Sequence, residues 1–162
     1  MEYHTADICD AHPDDVEVAE PILRHFGGTC RFHGGTVTIK VYEDNVLVRK
    51  AVESPGEGRV LVVDGGGSMR RALLGDRLGA MAAENGWSGV IVNGCVRDTA
   101  QLATTALGVL AIAAHPMKSN KNGDGDTGMS VSFAGVTIRP GQYVYADEDG
   151  WLVTPQALHR GQ

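Results

Sequence analysis

Two short valine-rich segments with a helical stripe between them are the feature that most restricts the fold of this chain. Arg59 to Val63 and Val90 to Val92 both lie between glycines, a pattern typical of strands buried on both faces of a sheet. Between them, apolar residues recur at i, i+4, i+7 and i+8, namely Leu74, Leu78, Met81 and Ala82. This spacing predicts a helix that ends at Asn85-Gly86. Together the three segments predict a βαβ crossover with parallel strands.

The crossover also predicts which loops meet. Parallel strands end at the same edge of a sheet, so the loops that follow them emerge side by side. Here those loops are Asp64 to Ser68 and Gly94 to Asp98. We therefore expect them to be neighbours in space.

The rest of the chain adds strands and helices around this crossover. The predicted helices are one with Thr5 as N-cap running through Asp10, one from Pro21 through Phe26, and one capped by Asp44-Asn45 that carries Val46, Val48 and Val52. The predicted strands are Thr36 to Tyr42, Val109 to Ala114, Met129 to Phe133, Val136 to Arg139, Tyr143 to Ala146 and Trp151 to Val153. No linker or repeat is visible, so we expect residues 1–162 to form a single layered α/β/α-type domain with a mixed parallel and antiparallel sheet.

The composition limits which binding partners and which cellular compartment are expected. The net charge is -6 and no block of basic residues could follow a phosphate backbone, so nucleic acid is not an expected direct partner. No apolar stretch approaches the roughly 20 residues of a membrane span, and the N-terminus is acidic where a secretory signal would be basic. The three cysteines have no paired spacing, which predicts free thiols at Cys9, Cys30 and Cys95. We expect a cytoplasmic protein.

Several segments resemble known binding or catalytic motifs but lack a residue that the motif requires. A dinucleotide-binding loop after the first valine strand would need glycine where Arg70 stands, so the glycines from Asp64 to Ser68 indicate a tight turn that lets a backbone or a small ligand approach closely. A calcium loop at Asn122 to Asp126 would need glycine at Thr127, which favours a solvated turn. Neither Ser68 nor Cys95 has a local nucleophile signature, and no histidines pair at metal-binding spacing.

One constellation remains at the edge where the loops meet. Gly75-Asp76-Arg77-Leu78 opens the crossover helix, whose free N–H groups can bind a carboxylate. Arg97-Asp98 follows the next strand, and a guanidinium beside a carboxylate suits an oxo-acid bound to Mg²⁺ or Mn²⁺. The alternative is an ordinary helix cap at Asp76 and a surface pair of Arg97 with Asp98. The chemistry alone leaves both interpretations open.

Eight short motifs spread along the chain match those of a known protein family. They are Thr5-Ala6-Asp7-Ile8-Cys9-Asp10, Phe26-Gly27-Gly28, Phe32-x-Gly34-Gly35, Glu43-Asp44-Asn45, Val60 to Ser68, Gly86-Trp87-Ser88-Gly89, Gly94 to Asp98 and Tyr145-Ala146-Asp147-x-x-Gly150. Together they resemble the RraA family, which includes regulators of ribonuclease E activity and class II 4-hydroxy-4-methyl-2-oxoglutarate aldolases. The resemblance implies an α/β fold of the swivelling-domain type.

The enzyme branch of that family is marked by Asp, twenty residues and then Arg-Asp. Asp76, twenty intervening residues and Arg97-Asp98 match this pattern, whereas regulators typically lack these acids. The resemblance thus implies a metal-dependent lyase that cleaves 4-hydroxy-4-methyl-2-oxoglutarate to two pyruvates. Decarboxylation of oxaloacetate is expected with it, since both reactions share a pyruvate enolate. The alternative is a regulator that binds and inhibits ribonuclease E without catalysis.

The resemblance also implies the role of each residue and the assembly. Gly75 to Leu78 would form the substrate loop, Arg97 would bind the pyruvate carboxylate, Asp98 would bind Mg²⁺ or Mn²⁺, and Asp76 would hold a metal-coordinated water. Many enzyme-type members have an acid three residues after the motif Asp, where this chain has Gln101. We expect a homotrimer that acts on a small 2-oxo acid. No Schiff-base lysine is expected, because all the lysines lie outside the motif loops: Lys40, Lys50, Lys118 and Lys121.

Overall fold

A computed structural model describes residues 2–158, within which the chain forms four helices and twelve strands. The helices are α1 (Thr5–Ala11), α2 (Val46–Glu53), α3 (Asp76–Glu84) and α4 (Thr99–Leu102). The first six strands are β1 (Glu17–Val18), β2 (Arg24–His25), β3 (Phe32–Lys40), β4 (Val60–Asp64), β5 (Ala72–Leu74) and β6 (Gly89–Val96). The others are β7 (Gly108–Ala114), β8 (Asp126–Thr127), β9 (Val131–Phe133), β10 (Val136–Ile138), β11 (Tyr143–Asp147) and β12 (Gly150–Thr154).

Ten of these strands form one sheet, and the prediction that it mixes parallel and antiparallel pairs is confirmed. Its main path runs β1-β12-β11-β3-β4-β6-β7-β2, with β5 added to β6 and β8 added to β3. The centre, β3-β4-β6-β7, is parallel, and the pairs at both ends of the path are antiparallel. The predicted crossover is confirmed, since β4 and β6 are parallel neighbours with α3 between them in the chain.

The sheet curls so that β2, the strand at one end of the path, comes back to β11, the third strand from the other end. His25 in β2 forms a 2.8 Å hydrogen bond through Nε2 with the carbonyl oxygen of Asp147 in β11, although five pairings separate these strands along the sheet. Inside the curl, the Phe32 ring fills the space next to Gly89 and Gly108, where any Cβ would overlap it. The mixed α/β fold is therefore confirmed, and its sheet is strongly curled.

Both faces of the central strands are buried, as their composition predicts. Along β4, Leu61 and Val63 face a core formed with α2 and α3, whereas Val60 and Val62 face a second core inside the curl, which also takes in the β9–β10 hairpin. Every residue of β4 is buried. Burial of a valine side chain contributes about 1.5 to 3 kcal/mol, so this strand alone supplies a substantial part of the driving force.

Three local predictions differ from the structure. The helix predicted from Pro21 to Phe26 is wrong, because these residues form a turn and then β2, whose backbone pairs with the distant β7. Leu74 lies in β5 rather than in the crossover helix, which begins only at Asp76. Thr5 is the first helical residue rather than the N-cap, and its hydroxyl hydrogen bonds instead to Asp147.

Other predictions hold. The thiols of Cys9, Cys30 and Cys95 are free. The remaining predicted strands are present with shifts of a few residues at their ends. In residues 2–158, none of the helices is long and apolar enough to cross a membrane.

A buried carboxylate fastens α1 to the sheet. The Asp147 side chain accepts hydrogen bonds from the backbone N–H and the hydroxyl of Thr5, both at 2.7 Å, and from the N–H of Asp149 at 3.0 Å. Burial opposes ionisation of this carboxyl, but those hydrogen bonds and nearby Arg31 outweigh it, so the pKa of Asp147 lies below its ordinary value.

Stability should therefore depend on the charge of Asp147. Because its native pKa is lowered, its contribution is present above the ordinary value of 3.8 and is lost as the pH falls through the native pKa. Asp147→Asn should lower the free energy of unfolding by about 1.5 to 3 kcal/mol at neutral pH, and the difference from wild type should shrink in acid. Urea unfolding at neutral pH and well below the ordinary pKa measures both differences. Equal differences under the two conditions would contradict this account.

Candidate active site

The structure brings the predicted site residues to the wall of one cavity of about 490 Å³. All six of them line it: Gly75, Asp76, Arg77, Leu78, Arg97 and Asp98. A smaller cavity of about 300 Å³ lies beside it and shares Arg97 and Asp98 as lining residues. Arg97 and Asp98 thus border both spaces.

The ends of two parallel strands place these residues together. β5 pairs with the end of β6, and the N–H of Arg97 donates a 2.9 Å hydrogen bond to the carbonyl oxygen of Leu74. The chain then passes through Gly75 into α3 on one side and through Asp98 into α4 on the other. Asp76 and Asp98, which are 22 positions apart in sequence, are therefore neighbours in space.

Gly75 permits this close approach. A Cβ at this position would lie 2.6 Å from Oδ2 of Asp98 and 3.3 Å from Cγ of Arg97. The backbone of Gly75 is extended, so the requirement is steric rather than conformational. Any side chain here would push apart the two loops that form the cavity wall.

Asp98 is held by the start of α3. Its Oδ2 accepts a 3.0 Å hydrogen bond from the N–H of Asp76. This bond, a side-chain hydrogen bond with Asp76 and the charge of Arg97 outweigh the effect of burial and lower the pKa of the Asp98 carboxyl. Asp98 has a left-handed backbone with φ of +57°, which asparagine and aspartate tolerate better than most residues. In the described part of the chain it forms no direct ion pair with Arg97, which weakens the surface-pair interpretation.

The carboxylates of Asp76 and Asp98 define which cation could bind. Within residues 2–158 no group of three or more histidine, cysteine or acidic side chains is arranged to hold a metal ion. Zinc sites in proteins need three or four such ligands, so this donor set does not fit zinc. Mg²⁺ is commonly held by one or two carboxylates and completes its shell with water and substrate oxygens. The residues present therefore fit Mg²⁺ or Mn²⁺.

Six polar residues that line the cavity were not predicted from the sequence: Asn45, Arg49, Lys50, Glu53, Ser119 and Lys121. Lys121 donates a 2.5 Å hydrogen bond from Nζ to Oδ1 of Asn45, whose amide in turn donates to the carbonyl oxygen of Leu73 at 3.2 Å. Partial burial lowers the pKa of Lys121, and repulsion from Arg97 lowers it further. Lys50 also lines the cavity, so two of the lysines outside the motif loops reach it through the fold. Only Asn45 had a sequence signal, as part of Glu43-Asp44-Asn45.

The remaining candidates lie elsewhere. Gln101 is exposed on α4 and does not line the cavity. The glycine-rich turn after β4 packs against β6, where the N–H groups of Gly65 and Gly67 donate to the carbonyl oxygen of Asn93 at 3.0 and 3.1 Å. Its glycines thus serve close backbone packing. The prediction that this turn meets Gly94 to Asp98 holds in part: the turn contacts Asn93 and lies near Gly94, both within β6, whereas Asp98 faces Gly75.

The chain is similar to known proteins over nearly its whole length. The family model described as RraA-like, Aldolase/RraA, matches residues 5–153. A protein from Ectopseudomonas mendocina (strain ymp) is 57% identical over 158 residues, 98% of each chain, and carries the name "Putative 4-hydroxy-4-methyl-2-oxoglutarate aldolase". A protein of the same name from Stutzerimonas stutzeri (strain A1501) is 57% identical over 162 residues, 100% of both chains.

Solved structures with the same fold carry other descriptions. The RNA-processing inhibitor RraA from Thermus thermophilis superposes with a TM-score of 0.95 at 46% identity, covering 100% of this chain and 98% of that one. An S-adenosylmethionine: 2-dimethylmenaquinone methyltransferase from Geobacillus kaustophilus HTA426 gives 0.94 at 47% identity, covering 99% of each chain. The fold, the family match and the near full-length relatives together show that this chain belongs to the RraA-like (Aldolase/RraA) family.

Proposed function

We propose that the protein is a divalent metal-dependent lyase that cleaves 4-hydroxy-4-methyl-2-oxoglutarate to two pyruvates and also decarboxylates oxaloacetate. The observation that carries the proposal is the meeting of Asp76, Arg97 and Asp98 at one cavity, with the Asp98 carboxylate held by the N–H of Asp76. The names of the relatives from Ectopseudomonas and Stutzerimonas support the same activity.

The charge of the cavity favours an anionic substrate. Five cationic side chains line it, and only three acidic ones accompany them: Arg49, Lys50, Arg77, Arg97 and Lys121 against Glu53, Asp76 and Asp98. Both proposed substrates carry two carboxylates. S-adenosylmethionine, by contrast, carries a sulfonium cation, which this balance of charge disfavours. The cavity therefore suits an aldolase better than a methyltransferase.

Arg97 and the start of α3 would bind and orient the substrate. The Arg97 guanidinium has five N–H donors in a planar fork, and the structure uses one nitrogen, Nη1, for a 3.3 Å bond to the carbonyl oxygen of Pro116. The fork can still grip the carboxylate next to the 2-oxo group. In α3 the N–H of Asp76 is taken by Asp98, which leaves the first-turn amides of Arg77 and Leu78 to face substrate oxygens.

The two acidic residues, Asp98 and Asp76, would bind the metal ion and assist the proton transfer. Asp98, kept ionised by its surroundings, would hold Mg²⁺ or Mn²⁺, with Asp76 beside it. The cation, when bound, would supply Lewis acidity that favours the enolate left by cleavage of the C3–C4 bond. Asp76 is our candidate to orient the water that accepts the proton of the 4-hydroxyl group.

A regulator of ribonuclease E is the second candidate, favoured by the 46% identity to the RNA-processing inhibitor RraA over the full chain. Such a role needs a protein-binding surface and no turnover. The two functions are separable, because only the lyase depends on the cavity residues and on a metal ion.

The first test of the lyase is Arg97. Loss of a charge-assisted pair costs about 1.5 to 3 kcal/mol, so Arg97→Ala should lower kcat/KM at least about tenfold. Arg97→Lys should recover little, because a point charge cannot replace the planar fork. Steady-state kinetics with both substrates measure these changes. Arg139→Ala is the matched control, since Arg139 is exposed and does not line the cavity. Wild-type kinetics in Arg97→Ala would assign Arg97 to structure alone.

The second test is the metal. EDTA should abolish oxaloacetate decarboxylation beyond the free-metal background, and added Mg²⁺ or Mn²⁺ should restore it. Asp98→Asn, which suits the left-handed backbone at this position, should fold normally and stay inactive at any metal concentration. Electron paramagnetic resonance should show weaker Mn²⁺ binding by this variant.

The regulator predicts the opposite pattern for the same samples. Wild type would show no metal-dependent turnover, and its binding to ribonuclease E would be unaffected by EDTA. If correctly assembled and metallated wild type turns over neither substrate above the metal-only control, the lyase proposal is wrong.

We also propose a homotrimer. Three large side chains, Tyr42, Met69 and Met117, are about half exposed, at 56%, 49% and 50%. Near these side chains, Arg70 donates hydrogen bonds to Tyr42 and Glu43. Met117 directly follows Pro116, whose carbonyl oxygen accepts a hydrogen bond from Arg97 at the edge of the cavity. Light scattering at micromolar concentration should give about three times the chain mass of 17.1 kDa. A monomer would exclude this assembly.

A further inference from the structure

A second buried carboxylate, Asp44, joins two segments that border the cavity. Its side chain is almost fully buried, with 2% of its surface exposed. Oδ1 accepts a 3.0 Å hydrogen bond from the N–H of Val46, the first residue of α2. Oδ2 accepts hydrogen bonds from the N–H groups of Asn122 at 2.7 Å and Gly123 at 2.9 Å. One carboxylate thus connects the start of α2 with a turn nearly eighty residues later in the chain.

These bonds fix the position of Lys121. On its N-terminal side, the N–H of Asn120 donates to the carbonyl oxygen of Glu43 at 2.8 Å. On its C-terminal side, Asn122 is bound by Asp44. The backbone on both sides of Lys121 is therefore held by hydrogen bonds. From this fixed position its side chain reaches Asn45 and lines the same cavity as Arg97.

The charge of Asp44 also acts on Lys121. Burial of Asp44 opposes its ionisation, but the backbone N–H groups outweigh this effect and lower the pKa of its carboxyl. Partial burial and the nearby cations Arg97, Lys118 and Arg49 all lower the pKa of Lys121, whereas Asp44 raises it. Asp44 therefore favours the charged form of this ammonium group.

We propose that Asp44 is a positioning residue that holds Lys121 at the cavity as the anchor for the second carboxylate of a dicarboxylic 2-oxo acid. The inference rests on the proposed function. Both proposed substrates carry two carboxylates, and Arg97 accounts for only one. A second cation of fixed position explains how the cavity can distinguish a dicarboxylate from its monocarboxylate product, pyruvate.

The test compares Asp44→Asn, Lys121→Gln and the double variant. Calorimetry in the presence of Mg²⁺ measures binding of 2-oxoglutarate, a dicarboxylate, and of pyruvate. Each single variant should weaken 2-oxoglutarate binding about tenfold and raise KM for 4-hydroxy-4-methyl-2-oxoglutarate similarly, as expected for loss of a charge-assisted pair. Pyruvate binding should change less than about twofold. The double variant should bind no more weakly than Lys121→Gln alone, because both changes remove one interaction.

Two further variants separate positioning from stability. Asp147→Asn is the matched control, because Asp147 is also a buried carboxylate that accepts backbone N–H bonds but does not line the cavity. It should lower stability and leave 2-oxoglutarate binding unchanged. If Asp44→Asn does not fold, Asp44→Ser replaces it, since serine can still cap α2 but is shorter than aspartate.

The outcomes are distinct. If the Asp44 variant loses stability but binds 2-oxoglutarate like wild type, or if its effect adds to that of Lys121→Gln, Asp44 has a structural role only and the inference is wrong. Equal weakening of pyruvate and 2-oxoglutarate binding would also overturn it. If wild type turns over neither substrate but the binding pattern holds, the proposed reaction fails while the assignment of Asp44 stands.

Discussion

The candidate site depends on one backbone contact, the hydrogen bond from the N–H of Arg97 to the carbonyl oxygen of Leu74. It joins the ends of β5 and β6, and the chain leaves both strands toward the same cavity. Gly75 makes the contact possible, since any larger residue would collide with Asp98. The carboxylate of Asp98 then accepts the first N–H of α3, so that strand pairing, helix start and side-chain charge are determined together.

The parts of the fold that could be predicted from sequence are those whose signal is local. The valine-rich segments around Leu61 and Ile91 indicated doubly buried strands, and both are fully buried in the parallel centre of the sheet. β2 could not be predicted, because only pairing with the distant β7 makes residues 24–25 a strand. The curl of the sheet was equally hidden, since the bond from His25 to Asp147 joins residues 122 positions apart.

In the candidate site, too, residues with a local sequence signal could be predicted and residues placed by long-range contacts could not. Asp76, Arg97 and Asp98 follow a short motif at fixed spacing and could be named from the sequence, although their chemistry alone also allowed a surface pair. Lys121 could not be named. It reaches the cavity through its bond to Asn45, 76 residues earlier, and through the Asp44 carboxylate that holds the turn after it. The aspartates and glycines of that turn indicated only a solvated loop, because the partner of its backbone N–H groups lies elsewhere in the chain.

The backbone at Asp98 has a consequence for how function is distributed among proteins of this fold. A left-handed conformation is tolerated mainly by glycine, asparagine and aspartate, and only aspartate of these three brings a negative charge. A single codon change from aspartate to asparagine or glycine therefore removes the charge while the chain path survives. At this position the charge of the site can therefore change while the backbone that shapes the cavity stays the same.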